Sequence, residues 1–185
     1  VRKGASAPRK DAGAGAGTTY VTTFETGMIG TLTLASDGER ISHCWFEHDR
    51  NWDADAAKTY VRKDDLPVFD IACRWLRRYF AGERPDSSEL PLGLSGTPFR
   101  MAVWGQLLRI PYGQTVTYGE LAERVESQTG RRTSARAVGG AVRHNPICVI
   151  VPCHRVVGSG GSLTGFAGGI EVKARLLAAE GVKMG

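Results

Sequence analysis

The sequence predicts an α+β protein in two units: a small N-terminal β-sheet carrying one helix, and a mostly helical C-terminal unit containing a helix-turn-helix. Three observations predict it. Short β-branched and apolar runs, separated by glycines and an Asp-Gly turn, crowd into residues 19–47. A Pro/Gly/Ser-rich connector, residues 83–96, divides the chain. Beyond it, apolar residues recur at helical spacing behind Thr and Ser caps.

Residues 1–17 are Ala, Gly, Pro and basic residues that cannot bury a core, so a disordered basic tail is expected there. The N-terminal unit is expected over residues 18–90. Strand signals lie around Tyr20–Phe24, Gly30–Leu34 and Ile41–Phe46, and Asp37-Gly38 fits a tight hairpin turn between the last two. After a loop rich in Asp, Asn and Trp, residues Val68, Ile71, Ala72, Trp75, Leu76, Tyr79 and Phe80 recur at helical spacing. Asp64 or Asp65 is the expected cap of that helix and Gly82 its stop.

The C-terminal unit is expected over residues 91–185. Thr97-Pro98 opens a helix as a cap followed by proline at the first helical position, with a stop near Pro111 and Gly113. Thr117 and Glu120 form a capping box, with Val116 and Leu121 as a hydrophobic staple, specifying a helix to about Val125. A polar turn over residues 126–132 leads to Thr133 or Ser134 as the next cap, and a helix runs from there to about His144, before Asn145-Pro146. On this second helix Arg136, Gly139, Gly140 and Arg143 share one face, while Ala135, Val138 and Val142 are expected toward the core. Glycines between arginines allow close approach to a charged surface; the same glycines also permit close helix packing.

Hydrophobic residues make up 42% and charged residues 23%, which excludes a disordered or fibrous chain. No apolar run is long enough to span a membrane. The net charge of +5 divides unevenly: the tail carries four bases and one acid, residues 18–95 nine and thirteen, and residues 96–185 eleven and five. The C-terminal half is therefore the part expected to meet a polyanion. Cys44, Cys73, Cys148 and Cys153 lack C-x-x-C spacing and no signal peptide precedes them, so free thiols in an intracellular compartment are expected.

Ile147–Val151 is a strand-like run ending at Pro152-Cys153-His154-Arg155, which puts Cys153 at a strand end beside two basic groups. That setting predicts a lowered thiol pKa and an activated nucleophile. Cys148, Cys153 and His154 as metal ligands, or Cys153 as a plain buried residue, remain alternatives. The glycine-rich run over residues 158–169 is expected to close on a ligand, with Phe166 able to stack on a planar group, before a last helix over about Ile170–Glu180.

The run Ala135-Arg136-Ala137-Val138-Gly139-Gly140-Ala141, then Asn145-Pro146, then Val151-Pro152-Cys153-His154-Arg155-Val156, resembles the signature of the O6-alkylguanine-DNA alkyltransferases, also called methylated-DNA–protein-cysteine methyltransferases. The resemblance covers about Thr97 to Gly181. It implies a ribonuclease-H-like N-terminal sheet and stoichiometric, irreversible transfer of an alkyl group from O6-alkylguanine in duplex DNA to Cys153. O4-alkylthymine is a further candidate substrate. His154 would be the base, acting through a water, and Glu180 would orient it. Tyr118 would donate a proton toward the leaving guanine, and Asn145 would tie the recognition helix to the active-site segment.

By the same resemblance Arg136 would enter the base stack while the helix bearing Ala135, Gly139, Gly140 and Arg143 sits in the minor groove. Val156, Phe166 and Ala167 would line the base pocket. No cofactor, no metal, no obligate protein partner and a monomeric state are expected. Phe166 stands where the family commonly has Tyr, which keeps stacking and loses a hydroxyl. The turn over residues 126–132 is longer than the family's usual link and adds Arg131 and Arg132, expected to make extra phosphate contacts. His43, Cys44 and His48 do not form the family's zinc pattern. A non-catalytic lesion-binding protein and a helix-turn-helix regulator are the competing readings.

Overall fold

A computed structural model describes residues 17–47, 49 and 51–183. The tail expected over residues 1–17 thus lies, apart from Gly17, outside the described residues, as does His48. Strands β1 (Tyr20–Glu25), β2 (Thr31–Ser36) and β3 (Ile41–Phe46) form an antiparallel meander, and the short β4 (Val61–Arg62) adds in parallel to β1, giving the order β3-β2-β1-β4. Cross-strand pairs Leu32↔Phe46 and Leu34↔Cys44 bury one face. Helix α2 (Pro67–Phe80) covers it with Val68, Phe69, Ala72, Trp75, Leu76 and Tyr79, after a one-turn helix α1 (Ala54–Ala57).

Three local expectations for this unit need correction. The turn after β2 is a four-residue loop, Asp37–Arg40, because Asp37 Oδ1 accepts from the backbone N–H of both Glu39 and Arg40 and a bulge shifts the register at Ser36. Neither Asp64 nor Asp65 caps α2; Leu66 holds that place without a side-chain bond, and Asp64 instead accepts from Thr22 and Arg62. Phe69 takes the core position expected of Ile71, which is exposed.

The connector is more ordered than its composition predicts. Asp86 and Glu89 form a capping box on a 3₁₀ turn, Ser87–Glu89, and Leu90 is buried. The free edge of β3 is closed by two segments. Ile41 exchanges backbone bonds with Pro91 and Gly93, and Cys44 with Pro146 and Cys148. An open strand edge would template pairing with another chain; here it anchors the segment that leads to Cys153.

Helices α3 (Pro98–Leu107), α4 (Tyr118–Thr129) and α5 (Ala135–Arg143) pack together around Trp104, whose indole N–H donates to the Ala141 carbonyl at 3.0 Å. Short parallel strands β5 (Val116–Thr117) and β6 (Val156–Val157) and the last helix α6 (Ile170–Ala179) complete the unit. Helix α3 ends at Leu107, short of the expected stop. Helix α4 runs past Val125 to Thr129, with Gly130 in the left-handed conformation as its cap, so most of the expected long turn is helix and the link is only residues 130–134. Ser134 caps α5. Ala135 is exposed, and Ala141 joins Val138 and Val142 in the core.

The largest departure is residues 147–151. They are buried as a strand would be, but only Ile147 pairs, with Cys44. The side chain of Asn145 accepts from the Ile147 N–H at 3.1 Å and donates to the Val151 carbonyl at 2.8 Å, folding the run into a loop. Val149 sits at φ +70°, a conformation that costs a β-branched residue about 1–3 kcal/mol. Among the described residues no helix is long and apolar enough to cross a membrane.

The Thr117–Glu120 capping box is closed in both directions, with Glu120 N–H donating to Thr117 Oγ1 at 3.1 Å and Thr117 N–H to Glu120 Oε2 at 2.6 Å. Thr117→Ala should lower stability by about 1 kcal/mol. For a chain of this size that is a fall of about 2–4 °C in Tm, measurable by thermal melting.

Candidate active site

Cys153, His154 and Arg155 form a single 3₁₀ turn, Cys153–Arg155, rather than the end of a strand. In such a turn successive side chains diverge by about 120°. His154 and Arg155 point into the protein, toward Glu180 at the end of α6. Glu180 accepts five hydrogen bonds. Its Oε1 receives Tyr79 Oη–H (2.6 Å), His154 Nε2–H (2.8 Å) and Arg155 Nη2–H (2.9 Å). Its Oε2 receives Arg155 Nε–H (2.8 Å) and the Gly113 N–H (3.0 Å).

The charge balance of this network follows from its donors. Burial pushes the Glu180 carboxyl up, but the bonds from His154 and Arg155 outweigh it and hold the group well below the usual range. Burial pushes the His154 imidazole down, against the pull of Glu180. Arg155 therefore supplies the cation, and His154 is a neutral imidazole donating Nε2–H. Its Nδ1, buried and without a protein partner, keeps a basic lone pair.

Cys153 is 4% exposed, and its thiol pKa is lowered. The direction matches the sequence-based expectation; the cause does not. Arg155 is spent on Glu180 and on the Ile110 carbonyl. The thiolate is favoured by a hydrogen bond from the Cys148 thiol, then by one from Asn145 and by the charge of Lys173, against burial. Cys148 is pushed up in turn and also approaches buried Asp49, at 3.8 Å. These engagements leave Cys148, Cys153 and His154 poorly disposed as a ligand set, and among the described residues no group of three or more His, Cys, Asp or Glu is placed to hold a metal.

Tyr118, at the start of α4, places its hydroxyl 3.3 Å from the Thr164 carbonyl and 3.4 Å from that of Gly165. Burial, then the neighbouring Cys153, raise its pKa, so it stays protonated. Beside it opens a cleft of about 500 Å³ lined by Asn51, Arg143, Gly165, Phe166, Ala167, Gly169 and Ile170. The Phe166 ring reaches both Phe46 and His154, with centroids at 5.3 and 6.5 Å. Val156 is fully buried and faces the core; its carbonyl, not its side chain, is turned to a site residue, Lys173.

On α5, Ala135, Arg136, Gly140 and Arg143 are exposed. The two glycines divide the readings left open by the sequence. A Cβ on Gly139 would rest in ordinary contact, at 3.6 Å, on the Tyr118 ring, so this position faces the protein rather than the outer face. A Cβ on Gly140 would meet nothing within 4 Å. Asn51 of the N-terminal unit donates to the Arg143 carbonyl at 3.0 Å, fastening the end of α5.

Sequence reasoning missed Tyr79, Gly113, Asn51, Asp49, Cys148 in its thiol role, and Lys173. Tyr79 carries no signal beyond its helical periodicity. Lys173 does: it occupies an apolar stripe with Leu176 and Leu177, and ends buried.

The family description "6-O-methylguanine DNA methyltransferase, DNA binding domain" matches residues 98–182, and its "ribonuclease-like domain" matches residues 19–94. The chain belongs to the 6-O-methylguanine DNA methyltransferase family. It is 44% identical over 158 residues to a methylated-DNA–protein-cysteine methyltransferase of Haemophilus influenzae, covering 85% of this chain and 84% of that protein. It is 41% identical over 162 residues to one of Methanosarcina acetivorans, covering 88% and 98%. The Mycobacterium tuberculosis O6-methylguanine methyltransferase superposes with a TM-score of 0.75 at 40% identity, covering 88% of this chain and 93% of that one. The same organism's OGT in complex with DNA gives 0.73 at 39%, covering 88% and 92%. The two-unit α+β architecture expected from the sequence is the family's, ribonuclease-like sheet included.

Two buried groups set an acid limit. His154 and Glu180 both have folded pKa values below their unfolded ones, so each contributes stability that is full above the unfolded pKa and lost as pH falls through the folded one. Tm should therefore fall from about pH 6.5 downward, first through His154 and through His43, whose imidazole burial pushes down to about 4, and below about pH 4.5 also through Glu180. His154→Gln should flatten the upper part of that decline, read from Tm between pH 7 and 5. An unchanged slope would contradict the neutral buried imidazole.

Proposed function

We propose that this chain repairs O6-alkylguanine in duplex DNA by moving the alkyl group to Cys153, once per molecule. One observation carries the reading. A buried thiol biased toward thiolate adjoins a neutral histidine with an unengaged Nδ1, beside an open cleft and a basic exposed helix face. A Cys153 that is 4% exposed cannot meet an O6 substituent inside the stack, so the base must turn out of the duplex. Helix α5 enters the minor groove with Gly140 as its open face, and Arg136 fills the gap left by the nucleotide.

Phe166 and Ala167 receive the base in the cleft. His154 Nδ1 takes the Cys153 proton through a water. The thiolate forms a bond to the alkyl carbon as the carbon–O6 bond breaks, and the electron pair leaves with guanine, which receives a proton from Tyr118. One proton leaves Cys153 and one reaches guanine, so the step balances. The product thioether offers water no good leaving group, and the protein is consumed. The protein acts as a monomer inside the cell, without a cofactor.

Intact mass after incubation with an O6-methylguanine duplex should rise by one methyl, located on the Cys153 peptide. Cys153→Ala should bind the lesion and gain nothing. Lesion binding by the wild-type protein without mass gain would favour the non-catalytic reading.

Arg131 and Arg132 are exposed in the short link before α5, and Arg132 borders a groove with Phe99, Ser134 and Ala137. Replacing both with alanine should reduce the slope of log affinity against log salt by about 1–2, since each phosphate contact contributes about 0.9. An unchanged slope would remove these arginines from the interface.

A further inference from the structure

Lys173 is fully buried, a state rare for lysine unless it is paired. Among the described residues its partners are two backbone carbonyls and no carboxylate. Nζ donates to Val156 O at 2.5 Å and to Thr164 O at 3.0 Å. The first lies on β6, three residues after the nucleophile. The second lies in the glycine-rich loop that walls the cleft, and it is the same carbonyl that accepts the Tyr118 hydroxyl. One ammonium thus joins α6, the segment after Cys153, and the loop carrying Phe166 and Ala167. The titratable groups around it are Cys153 and His154 of the 3₁₀ turn; its charge favours the thiolate of the first and the neutral form of the second. Asp49 opposes it at Cys153.

We propose that Lys173 is a positioning residue of the alkyl transfer: its ammonium straps the 158–169 loop against the segment after Cys153 and supplies a buried positive charge that stabilises the thiolate formed when Cys153 gives up its proton. The proposal rests on the alkyl-transfer reading, but its thiolate half can be read without DNA. Its geometry has a stated cost, since burial pulls the Lys173 pKa down to about 8. The charge is present below that pH and lost above it.

The test compares wild type with Lys173→Met, which removes charge and donors, and Lys173→Gln, which keeps an N–H donor and removes the charge. Two readouts are used: the single-turnover rate of methyl transfer from an O6-methylguanine duplex, and the pH midpoint for alkylation of Cys153 by iodoacetamide, located by peptide mass. Both variants should move that midpoint up by about one pH unit and slow transfer about tenfold at pH 7.5. Lys173→Met should in addition weaken lesion binding, because the loop is released, whereas Lys173→Gln should bind nearly as wild type. A merely structural lysine would leave the midpoint in place; folded variants with the wild-type midpoint and rate overturn the proposal. Should neither variant fold, the wild-type rate profile decides. A rate that declines above about pH 8 supports the charge, and one that stays level to pH 10 overturns it. Failure of wild type to gain a methyl would reject alkyl transfer itself, while the iodoacetamide midpoint would still report on Lys173.

Discussion

The buried carboxylate of Glu180 is the point on which the rest of the site depends. A charge in that position is tolerated because five donor bonds converge on it from four residues in three parts of the chain: Tyr79 of α2, Gly113 of the loop before β5, and His154 and Arg155 of the Cys153–Arg155 turn. Removing it would leave the Arg155 guanidinium buried and unpaired, which is far costlier than losing one bond. The same carboxylate selects the tautomer of His154. With Nε2–H committed to Glu180, the lone pair is at Nδ1, on the side away from the network. Gly113 matters here for a steric reason: at φ +74°, with a Cβ that would meet the Glu180 carbonyl at 2.8 Å, no larger residue fits.

The N-terminal unit contributes contacts to the candidate site although Cys153 lies outside it. Tyr79 hydrogen-bonds Glu180 and lies 3.3 Å from His154 Nε2. Asp49 meets Cys148, Asn51 holds the end of α5, and the edge of β3 pairs with the backbone on either side of Ile147. These contacts, with the two Asn145 bonds, keep the strained Val149 turn in place. Backbone strain of that kind persists only where surrounding bonds over-determine it, and here it lies four residues before Cys153.

Charge is divided in keeping with this arrangement. The basic C-terminal half presents Arg136 and Arg143 outward, while Arg155 and Lys173 are buried and turned inward, onto the Glu180 carboxylate and onto the Val156 and Thr164 carbonyls. Net charge by segment therefore overstates what is available to a polyanion. The two glycines of α5 face different ways: Gly139 lies against the Tyr118 ring, and Gly140 leaves the outer face bare.

The sequence by itself determined the two-unit plan, most strands and helices, the capping box of α4 and the motif around Cys153. Each of these is written in short-range pattern: β-branched and apolar runs broken by glycines in β1–β3, period 3.6 in α2, and Thr-x-x-Glu at 117–120. It misjudged the 147–151 run because burial and apolarity are common to strands and buried loops, and only the Asn145 side chain distinguishes them. It placed Cys153, His154, Glu180, Tyr118 and Asn145 by motif, while the cause of the thiol's acidity, the hub at Glu180 and the roles of Tyr79 and Lys173 were decided by tertiary structure. Those depend on contacts between residues far apart in the chain, such as Tyr79 with Glu180, and a partner that distant leaves no periodic trace beside either residue.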